Sequence, residues 1–199
     1  MAERLNSQED VFATDSMALE ICEISRAQRN KMGKESELNS PDKGYCASQK
    51  KYCYGYKLHS ACSAAGVIES LDLTKASVHD VHSLKDVQEL FSNCIITGDK
   101  GYMGRQQQIN LFETAAIELV VPLRSNQKDQ KPVIRILKKI RKMIETVFSQ
   151  LCDRFMIQRN YAKSFTGFKS RILAKVSGLA VLQFLNKFIS NQTAGRVKH

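Results

Sequence analysis

A chain of 199 residues with 43% hydrophobic residues can build one packed core and is too apolar to be disordered. Its formal net charge of +10 calls for a polyanionic partner, nucleic acid before an anionic membrane surface. No stretch suits a bilayer span, because the most apolar one, VSGLAVLQFLNKFI, is short and carries Ser, Gln, Asn and Lys.

The charge is concentrated. Between Arg124 and Lys175 there are 14 Lys/Arg and 3 Asp/Glu, so this segment alone carries the positive excess. Such a run is either a phosphate-binding face or a solvated helix surface. The six cysteines follow a polar start, MAERLNSQED, with no apolar secretion core, so reduced thiols and a cytoplasmic location are expected.

In chain order, residues 10–15 alternate (DVFATD) and read as a first strand ending at Asp15. Residues 17–50 are polar, with GKESELNSPDKG as loop. YCYGYKLHSAC and GVIESLDLTKA read as a hairpin turning at Ala65-Gly66. SLKDVQELF has helical spacing, with Ser83 and Asp86 placed as a capping box. CIIT is a short buried strand broken by GDKGY, GRQQQINLFETA a helix, and IELVVPL a strand stopped by Pro122.

A long helix is expected from Pro132, with Val133, Ile136, Leu137, Ile140, Ile144, Val147 and Leu151 in one apolar stripe. A last helix covers about 168–190. Strands alternating with helices imply an α/β domain, a sheet of mixed direction flanked by helices, occupying 1–199 with its core at about 11–189.

Three acids stand apart. Asp15 ends the first strand, and Asp99 follows CIIT in a glycine-flanked turn. Carboxylates at strand ends sit where open α/β sheets place ligands. Glu145 is on the rim of the long helix, about 120° from the stripe centre, with Arg141 at about 80°. Arg135, Lys138, Lys139 and Lys142 fan over the remaining face. Three converging acids become tolerable around divalent cations such as Mg²⁺, beside a basic face that holds phosphate. Each acid also has a plain role: strand end, turn residue, or half of an i, i+4 pair with Arg141.

ATDS, GYCASQKKYCYGYKLH, TGDKGY and RKMIE together resemble the catalytic core of bacterial insertion-sequence transposases, the nine-eight-two family with a DDE triad. Asp15 and Asp99 are 84 positions apart, and Asp99 and Glu145 are 46 apart. The resemblance implies a ribonuclease-H-like fold, with Asp15, Asp99 and Glu145 as catalytic residues and metal ligands. It implies two Mg²⁺ ions, replaceable by Mn²⁺, cleavage of transposon-end DNA, and strand transfer to target DNA by a homodimer. The chain starts about ten residues before the first strand, where the family's N-terminal DNA-binding region would stand. A catalytically inactive, truncated remnant that binds DNA non-specifically is therefore the second reading. Of the Tyr-Arg-Glu-Lys signature of related families, Arg141 and Glu145 fit; Lys138 and Cys152 stand at the other two positions.

Two further motifs compete for roles. Cys46, Cys53, His59 and Cys62 could form a zinc knuckle, but their spacings are wide for one. The strand reading places Tyr54, Tyr56, Leu58 and Ser60 on one face, with Lys50, Lys51 and Lys57 either in contact with DNA phosphate or on a solvated edge. In VHDVH, His79, Asp80 and His82 could bind metal or cap the following helix, with Asp80 near the catalytic edge.

Overall fold

The computed structural model describes residues 10–46, 49–102, 104–122 and 135–189, with backbone alone at Arg135 and Ile136. Six strands and four α-helices follow in the order β1 (Val11–Cys22), β2 (Asp42–Cys46), β3 (Lys51–Ser63), β4 (Ile68–Lys75), α1 (Leu84–Leu90), β5 (Cys94–Thr97), α2 (Arg105–Ala115), β6 (Ile117–Val120), α3 (Arg135–Asp153) and α4 (Phe165–Phe188). The expected start of the long helix at Pro132 lies outside the described residues.

The sheet runs β2-β3-β1-β5-β6, with β4 also paired to β3. β1, β2 and β4 are antiparallel to β3, while β5 and β6 run parallel to β1. Helices cover both faces. Ala13, Met17, Leu19, Tyr56 and Leu58 pack against Ile140, Ile144, Val147 and Leu151 of α3 and Phe168, Ile172 and Leu179 of α4. Phe12, Ile96, Ile117 and Leu119 pack on the other side with Leu84 and Val87 of α1 and Leu111 of α2. This is the mixed α/β sheet flanked by helices that the sequence pattern implied.

Two strand assignments need correction. β1 does not end at Asp15; it continues to Cys22, because Met17 and Leu19 keep the buried alternation while Ala18 and Glu20 face outward. Asp42–Cys46 is a strand rather than loop. It pairs with the first part of β3, and β4 pairs with the rest, so β2 and β4 meet end to end along one neighbour. A Cβ on Gly44 would lie 1.9 Å from the Ala76 carbonyl oxygen, so this junction admits only glycine. The glycine that reads as loop is there for close approach of two backbones.

The helix ends also depart from expectation. Ser83 makes no capping bond to α1; its hydroxyl donates to the Asp80 carbonyl (2.8 Å). α4 begins earlier than 168, at Phe165, where the Ser164 hydroxyl accepts from the Gly167 N–H (3.2 Å).

Candidate active site

The parallel register of β1 and β5 decides where two of the three acids meet. Ala13 pairs with Thr97, and that is the last pair before β5 ends. Asp15 and Asp99 are each two residues further on, so they stand at the same height, Asp15 still within β1 and Asp99 just past the end of β5. Tyr102, 1% exposed, anchors the turn after Asp99 in the core beside α2, and its N–H donates to the Asp99 carbonyl (3.1 Å).

The third acid arrives from above. Ile144 of α3 is fully buried in the cluster that contains Ala13 and Met17, the residues two before and two after Asp15 on its face. Glu145, the next residue, therefore sits on the side of α3 that overhangs the strand ends. Arg141, one turn earlier, reaches into the same space. Its Nη2 lies 3.8 Å from Asp99 Oδ1 and 3.8 Å from Glu145 Oε1.

The electrostatics follow from this placement. Burial pushes the Asp15 carboxyl up to about 6. The Asp99 and Asp80 charges push the same way, while the Ser16 N–H, which donates to Asp15 Oδ1 at 2.8 Å, and the Arg141 charge oppose them. Asp99 also accepts from the Lys100 N–H. The side chains of Asp99 and Glu145 are 51% and 56% exposed, which leaves them free to rotate toward a ligand.

Three oxygen donors of the kind that hard divalent cations take thus reach one edge from three elements. Asp99 and Glu145 flank the Arg141 guanidinium, and no group of three or more His, Cys, Asp or Glu is close enough to hold an ion among the described residues. Donor chemistry and exposure fit a divalent metal, and the Arg141 cation occupies the space between two of the donors.

Beside this edge runs a groove of about 240 Å³ lined by Thr97, Pro122, Leu137, Lys138, Arg141, Lys142 and Glu145. Its floor is apolar and its rim is basic. Lys138, Lys139 and Lys142 are exposed; the Arg135 side chain lies outside the described residues. Lys50 sits in the turn before β3 with φ of 51°. Lys51 pairs with Glu20 (3.0 Å) at a half-exposed site, a weak contact that phosphate can replace. Lys57 is different. Its side chain is only 14% exposed, and its ammonium donates to Asp80 (3.0 Å) and to the Val78 carbonyl (2.8 Å). The edge exposure expected for Lys57 is not what the fold provides.

The remaining motif residues take ordinary places. Cys62 joins the core under α3 and α4, Cys53 is buried, and His59 bonds Thr74 across to β4 (Nε2 to Oγ1, 2.8 Å). Burial lowers the His59 pKa, against the pull of Asp80 and Asp72. In VHDVH, His79 accepts from the Val81 N–H (3.4 Å) and caps the 3-10 turn at Asp80–Ser83, as a capping loop should. Asp80, which the sequence reading placed near the candidate edge, approaches β1 from the opposite face of the sheet and accepts from Ser16 and Lys57.

No helix among the described residues is long and apolar enough to cross a membrane. A family model described as a transposase DDE domain matches residues 6–179. No curated protein matches the chain.

Proposed function

The chain belongs to the transposase DDE domain family, and from that membership we propose that it cleaves DNA at the ends of a mobile element and joins those ends to target DNA. Asp15, Asp99 and Glu145 would hold the metal, and the arrangement of Arg141 between two of them is the observation that carries the assignment. A cation already sits between Asp99 and Glu145, which is the kind of charge balance a metal-binding edge requires. Two Mg²⁺ ions, for which Mn²⁺ can substitute, would polarise the scissile phosphate and neutralise charge developing on the attacking and leaving oxygens.

The chain's own residues then have separate tasks. Asp15 is fixed by its strand and by the Ser16 N–H. Asp99 and Glu145, both over half exposed, close from the turn and from α3. Arg141 leaves its carboxylate partners for the DNA phosphate, which offers it a bidentate contact. Lys138, Lys139 and Lys142 hold the backbone along the groove, with Lys50 and Lys51 further out and Arg135 preceding them on α3. Water would attack the end phosphodiester and release a 3′-hydroxyl, which then attacks target DNA. Cleavage and joining of paired ends suit a homodimer, which would bring two such edges to the DNA.

The test is Asp99→Asn in the full chain, assayed with Mn²⁺ and duplex DNA carrying the ends that flank the gene. The variant should lose cleavage while keeping the wild-type circular dichroism. Undiminished cleavage by a folded Asp99→Asn protein overturns the assignment.

A further inference from the structure

One carboxylate at the catalytic edge has no task in the reading above. Asp80 lies in the turn between β4 and α1, on the far face of the sheet from Asp15, and is three-quarters buried. Its Oδ1 accepts from Ser16 Oγ (2.8 Å) and from Lys57 Nζ (3.0 Å). Lys57 also holds the Val78 carbonyl, so one ammonium ties β3 to both ends of the short stretch that carries Asp80. Ser16 directly follows Asp15, and its N–H donates to Asp15 Oδ1. An unbroken chain of polar contacts therefore runs Lys57, Asp80, Ser16, Asp15.

The other oxygen faces the second catalytic segment. A Cβ placed on Gly101 would lie 3.1 Å from Asp80 Oδ2. The turn that carries Asp99 thus rests directly on this carboxylate, and a side chain at 101 would press on it. Asp80 touches both segments from which Asp15 and Asp99 project. As a stabilising device it is a poor choice. It adds an anion to an edge already rich in them; Lys57 balances it, and His59, whose Nδ1 lies 4.0 Å away, is pushed toward its neutral form by burial. A part-buried ion pair of this kind offsets much of its own desolvation cost.

We propose that Asp80 is a positioning residue for the metal-binding edge, holding the Asp15-Ser16 step of β1 and the Asp99–Gly101 turn in fixed relation through Ser16, Lys57 and its contact with Gly101. The inference rests on the transposase reading. Partners that orient metal ligands typically cost about 10- to 100-fold in metal affinity or activity when removed.

The experiment uses the full chain and its variants Asp80→Ala, Asp80→Asn and Ser16→Ala, with Asp99→Asn in parallel. Mn²⁺ affinity is read by calorimetry without DNA, fold by thermal melting, and kcat and KM with end DNA. Asp80→Ala should weaken Mn²⁺ binding by about tenfold or more and lower kcat, with KM for DNA unchanged. Asp80→Asn should do less harm than alanine, because its amide oxygen still accepts from Ser16. Wild-type Mn²⁺ affinity and kcat in folded Asp80→Ala overturn the proposal, as does a loss confined to melting temperature. If Asp80→Ala does not fold, Ser16→Ala decides: it breaks one contact, and an unchanged Mn²⁺ affinity and kcat overturn the proposal. Asp99→Asn separates the two levels. If it too binds Mn²⁺ like the wild type, the metal-edge reading itself falls; if it alone loses Mn²⁺, that reading stands and Asp80 has no part in it.

Discussion

Arg141 Nη2 stands 3.8 Å from Asp99 Oδ1, joining α3 to the turn after β5 across the mouth of the candidate site. The same nitrogen is 3.8 Å from Glu145. An arginine in this position competes with any metal for the two carboxylates. Exposed ion pairs contribute about 0.2–1 kcal/mol each, so two of them correspond to roughly 2- to 30-fold in affinity. Arg141→Gln should therefore bind Mn²⁺ more tightly than the wild type when DNA is absent. Its cleavage rate should nevertheless fall, because the guanidinium that meets phosphate is gone. A calorimetric Mn²⁺ titration checks the first half, and weaker binding by the variant would contradict the competition.

Asp15 makes the stability of the metal-free protein depend on pH in a definite direction. Its carboxyl is held at about 6 in the fold, above the ordinary 3.8, chiefly by burial. Between those values the folded state binds the proton more tightly than the unfolded one. Stability from this group is therefore present at low pH and lost as pH rises through about 6. Asp15→Asn should remove that loss. The variant should match the wild type near pH 4 and melt higher than it at pH 7.5, measured without metal. Parallel melting curves across that range would show that Asp15 ionises without cost.

Much of this fold was legible because its signals are periodic. The α3 stripe at Ile140, Ile144, Val147 and Leu151 faces the core as its spacing required, and CIIT forms the buried strand before Asp99. What escaped was set by contacts between distant backbones. DKGYC reads as loop until Ala76 is seen to abut Gly44. The spacing of Asp15, Asp99 and Glu145 is visible in one dimension, and the shared register of β1 and β5 supplies the physical cause that brings Asp15 and Asp99 to the same height. In the sequence Lys57 and Asp80 read separately, the first as a phosphate contact or solvated edge, the second as part of a capping loop near the candidate edge. Nothing local in YGYKLH or VHDVH shows that a lysine on β3 reaches under the sheet to a carboxylate 23 residues away.

The junction at Gly44 gives a stability prediction independent of function. Adding a methyl there sets it 1.9 Å from a backbone oxygen that cannot rotate away. Gly44→Ala must shift β2 or the end of β4, at a cost typical of overpacking, about 1–3 kcal/mol or more. Urea unfolding should show a lower midpoint with an unchanged slope. Ile144→Ala, at a fully buried position in the α3 stripe, should cost about 2–5 kcal/mol by leaving a cavity over β1. A Gly44→Ala protein as stable as the wild type would mean that β2 and β4 do not meet as described.

The basic residues should separate by their existing partners when DNA binding is measured against salt. Each phosphate neutralised contributes a slope of about −0.9 in log K against log salt for duplex DNA. Lys138 and Lys142 are exposed on the groove rim and make no ion pair among the described residues. Lys138→Gln and Lys142→Gln should each flatten the slope by about one unit. Lys57 already donates to Asp80 and Val78 from a site only 14% exposed, so Lys57→Gln should leave the slope as it was. Its effect should appear in kcat instead, through Asp80 and Ser16. Fluorescence anisotropy with a labelled duplex over a range of salt concentrations gives the slopes directly. A flattened slope in Lys57→Gln would mean that this ammonium leaves Asp80 for phosphate when DNA binds, and the polar chain beneath the proposed metal-binding edge would then be rebuilt by the substrate rather than fixed by the fold.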